Sequence, residues 1–165
     1  MTCIQPKLQK NEETEKEIRT VLFVCTGNTC RSPMAAALLL DAANKKGEAL
    51  NVYSAGLFAN DEPISPNAAE ALARAGVEHT AKNPYRDHRA HTVTREDMEN
   101  ADEIFGISAA HTMELVFRFP EFAAKIHAFP SSISDPFGGD LARYEACLAE
   151  IRAGLTLLYP ALFIL

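Results

Sequence analysis

The sequence lacks the features that identify membrane proteins, secreted proteins or small proteins stabilised by a bound metal. No apolar run reaches the roughly 18–20 residues that a membrane helix needs, and the N-terminal residues lack the apolar core of a signal peptide. Its four cysteines, Cys3, Cys25, Cys30 and Cys147, have spacings typical of neither a disulfide framework nor paired zinc ligands. There are no internal repeats or low-complexity tracts. We therefore expect a cytoplasmic protein that does not act at a membrane and holds no metal.

Positive charge is also in short supply. Lys and Arg number 16 against 22 Asp and Glu, which gives a formal net charge of -6. Such a chain has no broad electrostatic attraction for nucleic acid or anionic lipid, so any anion must be bound by a local device. The 165 residues, 47% of them hydrophobic, suit one domain with one core. Residues 1–19 are polar and mixed in charge, which predicts a poorly ordered extension before a domain at 20–165.

Strand-like apolar runs alternate with helical patterns along the rest of the chain. The predicted strands are 21–24, 51–55, 104–107 and 125–128, and the predicted helices are 32–43, 66–75, a short one after the capping box at Thr94, 108–118, and a last one with apolar residues at helical spacing from Leu141 to Leu155. This alternation predicts an α/β fold in a single domain, with a small central parallel sheet of about four strands and helices on both faces. The apolar stretch 155–165, interrupted by Pro160, is expected to pack against the last helix.

The loop after the first predicted strand has the chemistry of an anion site. Ligands in such folds bind beyond the carboxyl ends of the strands. Gly27 and Asn28 tolerate the left-handed backbone that a tight loop needs, and successive N–H groups in such a loop form a nest for an anion. The same dipoles and the helix N-terminus behind them favour the thiolate of Cys25. Arg31 can hold two phosphate oxygens with its planar fork, and Ser32 can donate to the thiolate or cap the helix.

These residues resemble a known family. The run Val21-Leu22-Phe23-Val24-Cys25-Thr26-Gly27-Asn28-Thr29-Cys30-Arg31-Ser32-Pro33-Met34 is similar to the signature of the low-molecular-weight protein phosphatases, and Tyr53-Ser54-Ala55-Gly56, His88-Arg89-Ala90 and Asp135-Pro136-Phe137-Gly138 match further family motifs in the same order. The resemblance extends from about residue 20 to the C-terminus. Ala36 departs from the glutamate often found at its position, which we expect to affect the helix surface more than catalysis.

The resemblance implies a phosphatase that works through a phosphocysteine intermediate, without cofactor or metal. It implies that Cys25, Arg31 and Asp135 are catalytic, although aspartates before proline more commonly cap their own turn. The residues implied to bind substrate are Thr26, Gly27, Asn28, Thr29, Cys30, Ser32 and Phe137, with Ser54 and His88 supporting the loop through hydrogen bonds. It further implies a monomer that acts on phosphorylated protein substrates. Cys30 shares a tight loop with Cys25, so a reversible disulfide is sterically feasible, although buried cysteines more commonly fill space.

Two pocket residues favour phosphoarginine over phosphotyrosine. Tyrosine-specific relatives typically carry a bulky aliphatic residue in place of Thr29 and tyrosine in place of Phe137, and the pair found here resembles the bacterial protein-arginine phosphatase branch. A guanidinium can also lie against Phe137 and donate to Asp135. A protein tyrosine phosphatase remains the alternative. Arsenate reductases with this loop need a resolving cysteine pair downstream, and no cysteine lies between Cys30 and Cys147.

Overall fold

Four parallel strands form the centre of the fold in the computed structural model, which describes residues 18–164. In chain order the elements are β1 (Arg19–Cys25), α1 (Arg31–Lys45), β2 (Leu50–Gly56), α2 (Pro66–Arg74), α3 (Arg95–Asn100), β3 (Glu103–Gly106), α4 (Ala109–Arg118), β4 (Ile126–Ala128), α5 (Leu141–Leu158) and α6 (Pro160–Phe163). The strand order is β2-β1-β3-β4, and every pairing is parallel. The predicted fold class and all four predicted strands are confirmed. The polar extension predicted for the N-terminus falls almost entirely outside the described residues.

Strand β1 is central because its side chains are buried on both faces of the sheet. Val21 and Phe23 pack in a cluster with residues of α1, α2 and α5, whereas Leu22 and Val24 pack in a second cluster with residues of α3 and α4. All four are at most 2% exposed. Burying each such side chain contributes about 1.5–3 kcal/mol, so β1 is firmly fixed and so is the point where it ends.

The loop that joins β1 to α1, residues 25–31, is the predicted phosphate loop, and the helix that follows it begins one residue earlier than predicted. Cys30 occupies the N-cap position of α1 without a side-chain capping bond, so of the two roles predicted for Ser32 the helix cap is wrong. The Ser32 hydroxyl instead contacts Cys25 and Asn28. Elsewhere the capping prediction holds, since Thr94 and Asp97 make both bonds of a capping box.

The C-terminal segment packs as predicted. Leu155 is fully buried, and Tyr159, Leu162 and Phe163 lie against the same core cluster as α1 and α5. No helix within residues 18–164 combines the length and the apolar character needed to cross a membrane.

Candidate active site

The carboxyl end of β1 opens into a cavity of about 220 Å³. Its lining consists of the loop after β1 and of two other segments: Cys25, Thr26, Gly27, Asn28, Thr29, Cys30 and Arg31, then Phe58, Asn60 and Glu62 after β2, and Asp135 and Phe137 before α5. The structure therefore brings nine of the ten residues predicted to be catalytic or to bind substrate to one cavity, including Asp135 from more than a hundred residues away in the sequence. The tenth predicted residue, Ser32, does not line the cavity, but its hydroxyl contacts the Cys25 sulfur.

Asn28 holds the phosphate loop in shape. It has φ 61°, the one positive φ at a non-glycine position among residues 18–164, and its side chain is fully buried. Its Nδ2 donates to Ser32 Oγ at 2.8 Å and to Ser54 Oγ at 3.0 Å, while its Oδ1 accepts from the backbone N–H of His91 at 3.1 Å. His88 Nε2 donates to the Asn28 carbonyl at 2.7 Å. These partners fix the orientation of the amide and offset the cost of a left-handed asparagine.

Ser32 lies 2.9 Å from the Cys25 sulfur, measured from Oγ to Sγ. Because Asn28 donates to the Ser32 oxygen, the single hydroxyl hydrogen of Ser32 is left for an acceptor, either the sulfur at 2.9 Å or the Ala55 carbonyl at the longer distance of 3.4 Å. A hydroxyl that donates to sulfur stabilises the thiolate, which is the nucleophilic form of cysteine. The geometry thus places a sulfur that lines the cavity within reach of a hydroxyl donor.

Near the phosphate loop, glycine is required at position 56 for lack of space, whereas the backbone conformation at Gly27 does not require glycine. A Cβ on Gly56 would lie 2.7 Å from the carbonyl oxygen of Thr26, so any side chain there would push the phosphate loop away. Gly27 does not have a positive φ, and only Asn28 in the loop uses the left-handed conformation that the sequence allowed for both. A Cβ on Gly27 would meet no protein atom within 4 Å.

Arg31 and Asp135 face each other across the cavity. The Arg31 side chain is buried, and its Nη1 donates to the carbonyl of Ile133 at 2.9 Å. Its Nη2 lies 3.6 Å from Asp135 Oδ2. The other carboxylate oxygen, Oδ1, accepts the backbone N–H of Phe137 at 3.1 Å, so Asp135 does cap its own turn. One oxygen therefore fixes the turn while the other faces the guanidinium.

Cys30 is directed away from solvent. It is 4% exposed, and its sulfur lies 3.3 Å from Tyr144 Oη, which also contacts Ser65 Oγ at 3.2 Å. Burial raises the pKa of the Cys30 thiol despite hydrogen bonds that lower it. The thiol form is therefore favoured at Cys30.

Sequence reasoning missed His111, which had no motif to identify it. It lies in the first turn of α4, is 4% exposed, and places Nε2 2.8 Å from Thr26 Oγ1. Burial and the charge of Arg31 lower the pKa of His111 to about 4, so its ring is neutral at neutral pH. Burial likewise lowers the pKa of His88. The available signal was positional, since α4 starts after β3 and its N-terminus must lie at the same sheet edge as the phosphate loop.

The loop between β2 and α2 also went unrecognised as a wall of the site. Phe58 and Phe137 are 69% and 77% exposed at the cavity, and Glu62 adds a second carboxylate near Asp135. Arg118 stacks over the Phe58 ring with 4.4 Å between its guanidinium carbon and the ring centroid. The cavity therefore has a cationic floor and a mouth lined by aromatic rings and carboxylates.

Comparisons with known proteins agree with this geometry. Residues 20–162 match the model of the low molecular weight phosphotyrosine protein phosphatase family. The protein-arginine-phosphatase of Bacillus subtilis (strain 168) is 35% identical over 80% of this chain and 89% of its own length. A probable low molecular weight protein-tyrosine-phosphatase of Ralstonia solanacearum is 32% identical over 87% of this chain and 95% of its own.

A solved structure shares the fold over nearly the same span. It is a mutant of the YwlE arginine phosphatase with a phosphorylated active site serine, with a TM-score of 0.78 and 32% identity over 87% of this chain and 95% of that one. The motif residues, the cavity that they line and these matches lead to one assignment. The chain belongs to the low molecular weight phosphotyrosine protein phosphatase family.

Proposed function

We propose that this chain is a cysteine-dependent phosphatase that removes phosphate from phosphoarginine in proteins. One observation carries the proposal: the Cys25 sulfur, 2.9 Å from the Ser32 hydroxyl, lies at a cavity that Arg31 and Asp135 also line. A nucleophile, an anion-binding guanidinium and a carboxyl group are the three parts that transfer of a phosphoryl group through cysteine requires.

The reaction proceeds in two steps. The Cys25 thiolate attacks phosphorus while the bond from phosphorus to the arginine nitrogen breaks. The bonding electron pair stays on that nitrogen, which takes a proton from Asp135. Arg31 and the loop N–H groups stabilise the oxygens of the transferring phosphoryl group. In the second step Asp135 takes a proton from water, which attacks the phosphocysteine and releases phosphate and the free thiolate.

Features of the cavity mouth favour a guanidinium leaving group over a phenol. Thr29 is small and polar where an aliphatic side chain would pack against a tyrosine ring. Glu62 offers a carboxylate and Asp135 a carboxyl oxygen to the N–H donors of a guanidinium, and the exposed ring of Phe137 offers a face on which it can stack. The protein-arginine-phosphatase match supports the same preference.

Protein tyrosine phosphatase activity is the second candidate. It is favoured by the match to a probable tyrosine phosphatase and by the aromatic walls, which would also accept a phenol ring. Arsenate reduction would need further thiols to resolve the oxidised Cys25. The chain has no cysteine between Cys30 and Cys147, and Cys147 is buried, with a pKa raised to about 12 mainly by that burial.

Parallel turnover of phosphoarginine and phosphotyrosine peptides of the same flanking sequence tests the proposal. We expect the wild-type protein to give the higher kcat/KM on phosphoarginine, and Cys25→Ser to lose turnover of both. Thr29→Ile should raise the phosphotyrosine-to-phosphoarginine ratio by at least about 10-fold, because pocket shape of this kind is worth about 1–3 kcal/mol. A wild-type preference for phosphotyrosine would overturn the arginine assignment, and full activity of Cys25→Ser would overturn the mechanism.

A further inference from the structure

A chain of three hydrogen-bonding side chains runs from the start of α4 to the phosphate loop. His111 Nδ1 lies 2.8 Å from Ser108 Oγ, and His111 Nε2 lies 2.8 Å from Thr26 Oγ1. His111 is 4% exposed, whereas Thr26 is exposed and lines the cavity next to Cys25. This Ser–His–Thr chain shares no residue with the hydrogen-bond network of Asn28.

The hydrogens of the Ser–His–Thr chain can point in only two consistent directions. Ser108 caps α4 by accepting the backbone N–H of His111 at 3.3 Å, which leaves its hydroxyl hydrogen for the ring nitrogen Nδ1. The neutral ring then carries its hydrogen on Nε2 and donates to Thr26 Oγ1, so the Thr26 hydroxyl hydrogen is available to the cavity. In the reverse direction Thr26 donates to Nε2 and presents only lone pairs to the cavity.

An anion in the cavity selects between the two directions. Phosphate oxygens accept hydrogen bonds, so the first direction adds a donor to them and the reverse direction sets lone pairs against negative charge. The ring is neutral at neutral pH, since burial and the nearby Arg31 charge disfavour the imidazolium. A neutral imidazole transmits a hydrogen-bond direction without adding a charge to the site.

We infer that His111 is a positioning residue, which turns the Thr26 hydroxyl into the cavity as a further hydrogen-bond donor to the substrate phosphoryl group. The inference rests on the proposed function, because it requires that the loop bind a phosphoryl group. It extends that function by adding one side-chain donor to the N–H groups of the loop and the Arg31 fork.

Competitive inhibition of para-nitrophenyl phosphate turnover by inorganic phosphate tests the inference. We expect Thr26→Val and His111→Leu each to raise the inhibition constant about 10-fold, the worth of one hydrogen bond to a charged group. The double variant should be no weaker than either single variant, because both changes remove the same donor. Thr26→Ser, which keeps the hydroxyl, should bind phosphate as the wild type does. Thr156→Val, at a half-buried position of α5, and His127→Leu, at an exposed position of β4, lie outside the site and are the matched controls.

A second measurement reads the ring directly. Nitrogen-15 shifts of the His111 imidazole should report hydrogen on Nε2 in the phosphate complex. Hydrogen on Nδ1 in that complex would overturn the inference. Unchanged phosphate affinity in Thr26→Val would also overturn it. Because Thr26 is exposed, this variant tests the donor even if His111→Leu does not fold. Additive losses in the double variant would also contradict it. A wild-type protein that neither binds phosphate nor turns over the aryl ester would instead overturn the proposed function itself.

Discussion

Replacing Asn28 separates the two roles that the structure gives to this residue. Its left-handed backbone costs about 1–2 kcal/mol for an alanine, but nothing comparable for glycine, so Asn28→Ala and Asn28→Gly should differ in stability by about that amount. Both variants also lose the three side-chain hydrogen bonds of the amide.

The shared loss can be estimated from the groups left behind. Ser54 Oγ loses its donor, and the backbone N–H of His91 loses its acceptor in a partly buried position. Each group left unsatisfied costs about 1–3 kcal/mol, less where water can replace the partner. We therefore expect Asn28→Gly to lower the free energy of unfolding by about 2–3 kcal/mol, and Asn28→Ala by about 3–5 kcal/mol, from these same costs.

Urea denaturation followed by circular dichroism measures both values, with Asn44→Ala, at an exposed position of α1, as the control. Turnover of para-nitrophenyl phosphate by the folded fraction is the second readout. Asn28→Gly should be slowed strongly even where it is folded, because the Ser32 hydroxyl is no longer held in place to donate to Cys25. Equal stability of the two variants would refute the role of the left-handed backbone. Wild-type turnover in Asn28→Gly would refute the role of the amide network.

Two further predictions concern Asp135 and His111. Asp135→Asn should slow a poor leaving group, such as an alkyl phosphate, far more than an activated aryl phosphate, since only the former needs the proton; equal losses in kcat/KM would assign Asp135 a role other than acid catalysis. Because the folded state lowers the pKa of His111 from its ordinary value of 6.5 to about 4, the unfolded chain binds the proton more readily between those values, and stability should fall as pH falls from about 6.5 to about 4. Urea titrations at several pH values should show a steeper acid loss in the wild type than in His111→Gln, and parallel slopes would contradict the burial of a neutral ring.

Structural features could be predicted from the sequence where their physical cause lies within a few consecutive residues. The apolar run before Cys25 predicted a strand buried on both faces, and Val21 to Val24 are indeed buried on both. The capping box at Thr94 and the alternation of strands and helices were predicted for the same reason, since caps and periodicity act over a few residues. The phosphate loop was also predictable, because all of its atoms come from consecutive residues.

What could not be predicted depends on contacts between distant segments. The sequence left open whether Ser32 would donate to the Cys25 sulfur or cap the helix, and only the folded loop shows that its hydroxyl contacts Cys25 and Asn28 instead of a helix end. Glu62 lines the cavity and His111 contacts Thr26 beside it, both from segments that begin more than thirty residues after Cys25, and neither belongs to a motif. Parallel strands bring such segments to one edge of the sheet, so topology predicts that some of their residues join the site but not which ones.

The polar residues of the site also explain how an acidic protein can bind a phosphate group. With a net charge of -6 the chain repels anions at long range, and the mouth of the cavity adds Asp135 and Glu62. Attraction must therefore come from groups that act only at contact: the loop N–H groups, the buried Arg31 and hydroxyls held by neutral side chains. Neutral asparagine and histidine suit this arrangement because they fix the direction of donors without a charge that would compete with Arg31 for the substrate. A phosphorylated guanidinium is stabilised at both ends of such a cavity, because its phosphoryl oxygens contact the hydrogen-bond donors and its N–H groups contact the carboxyl groups.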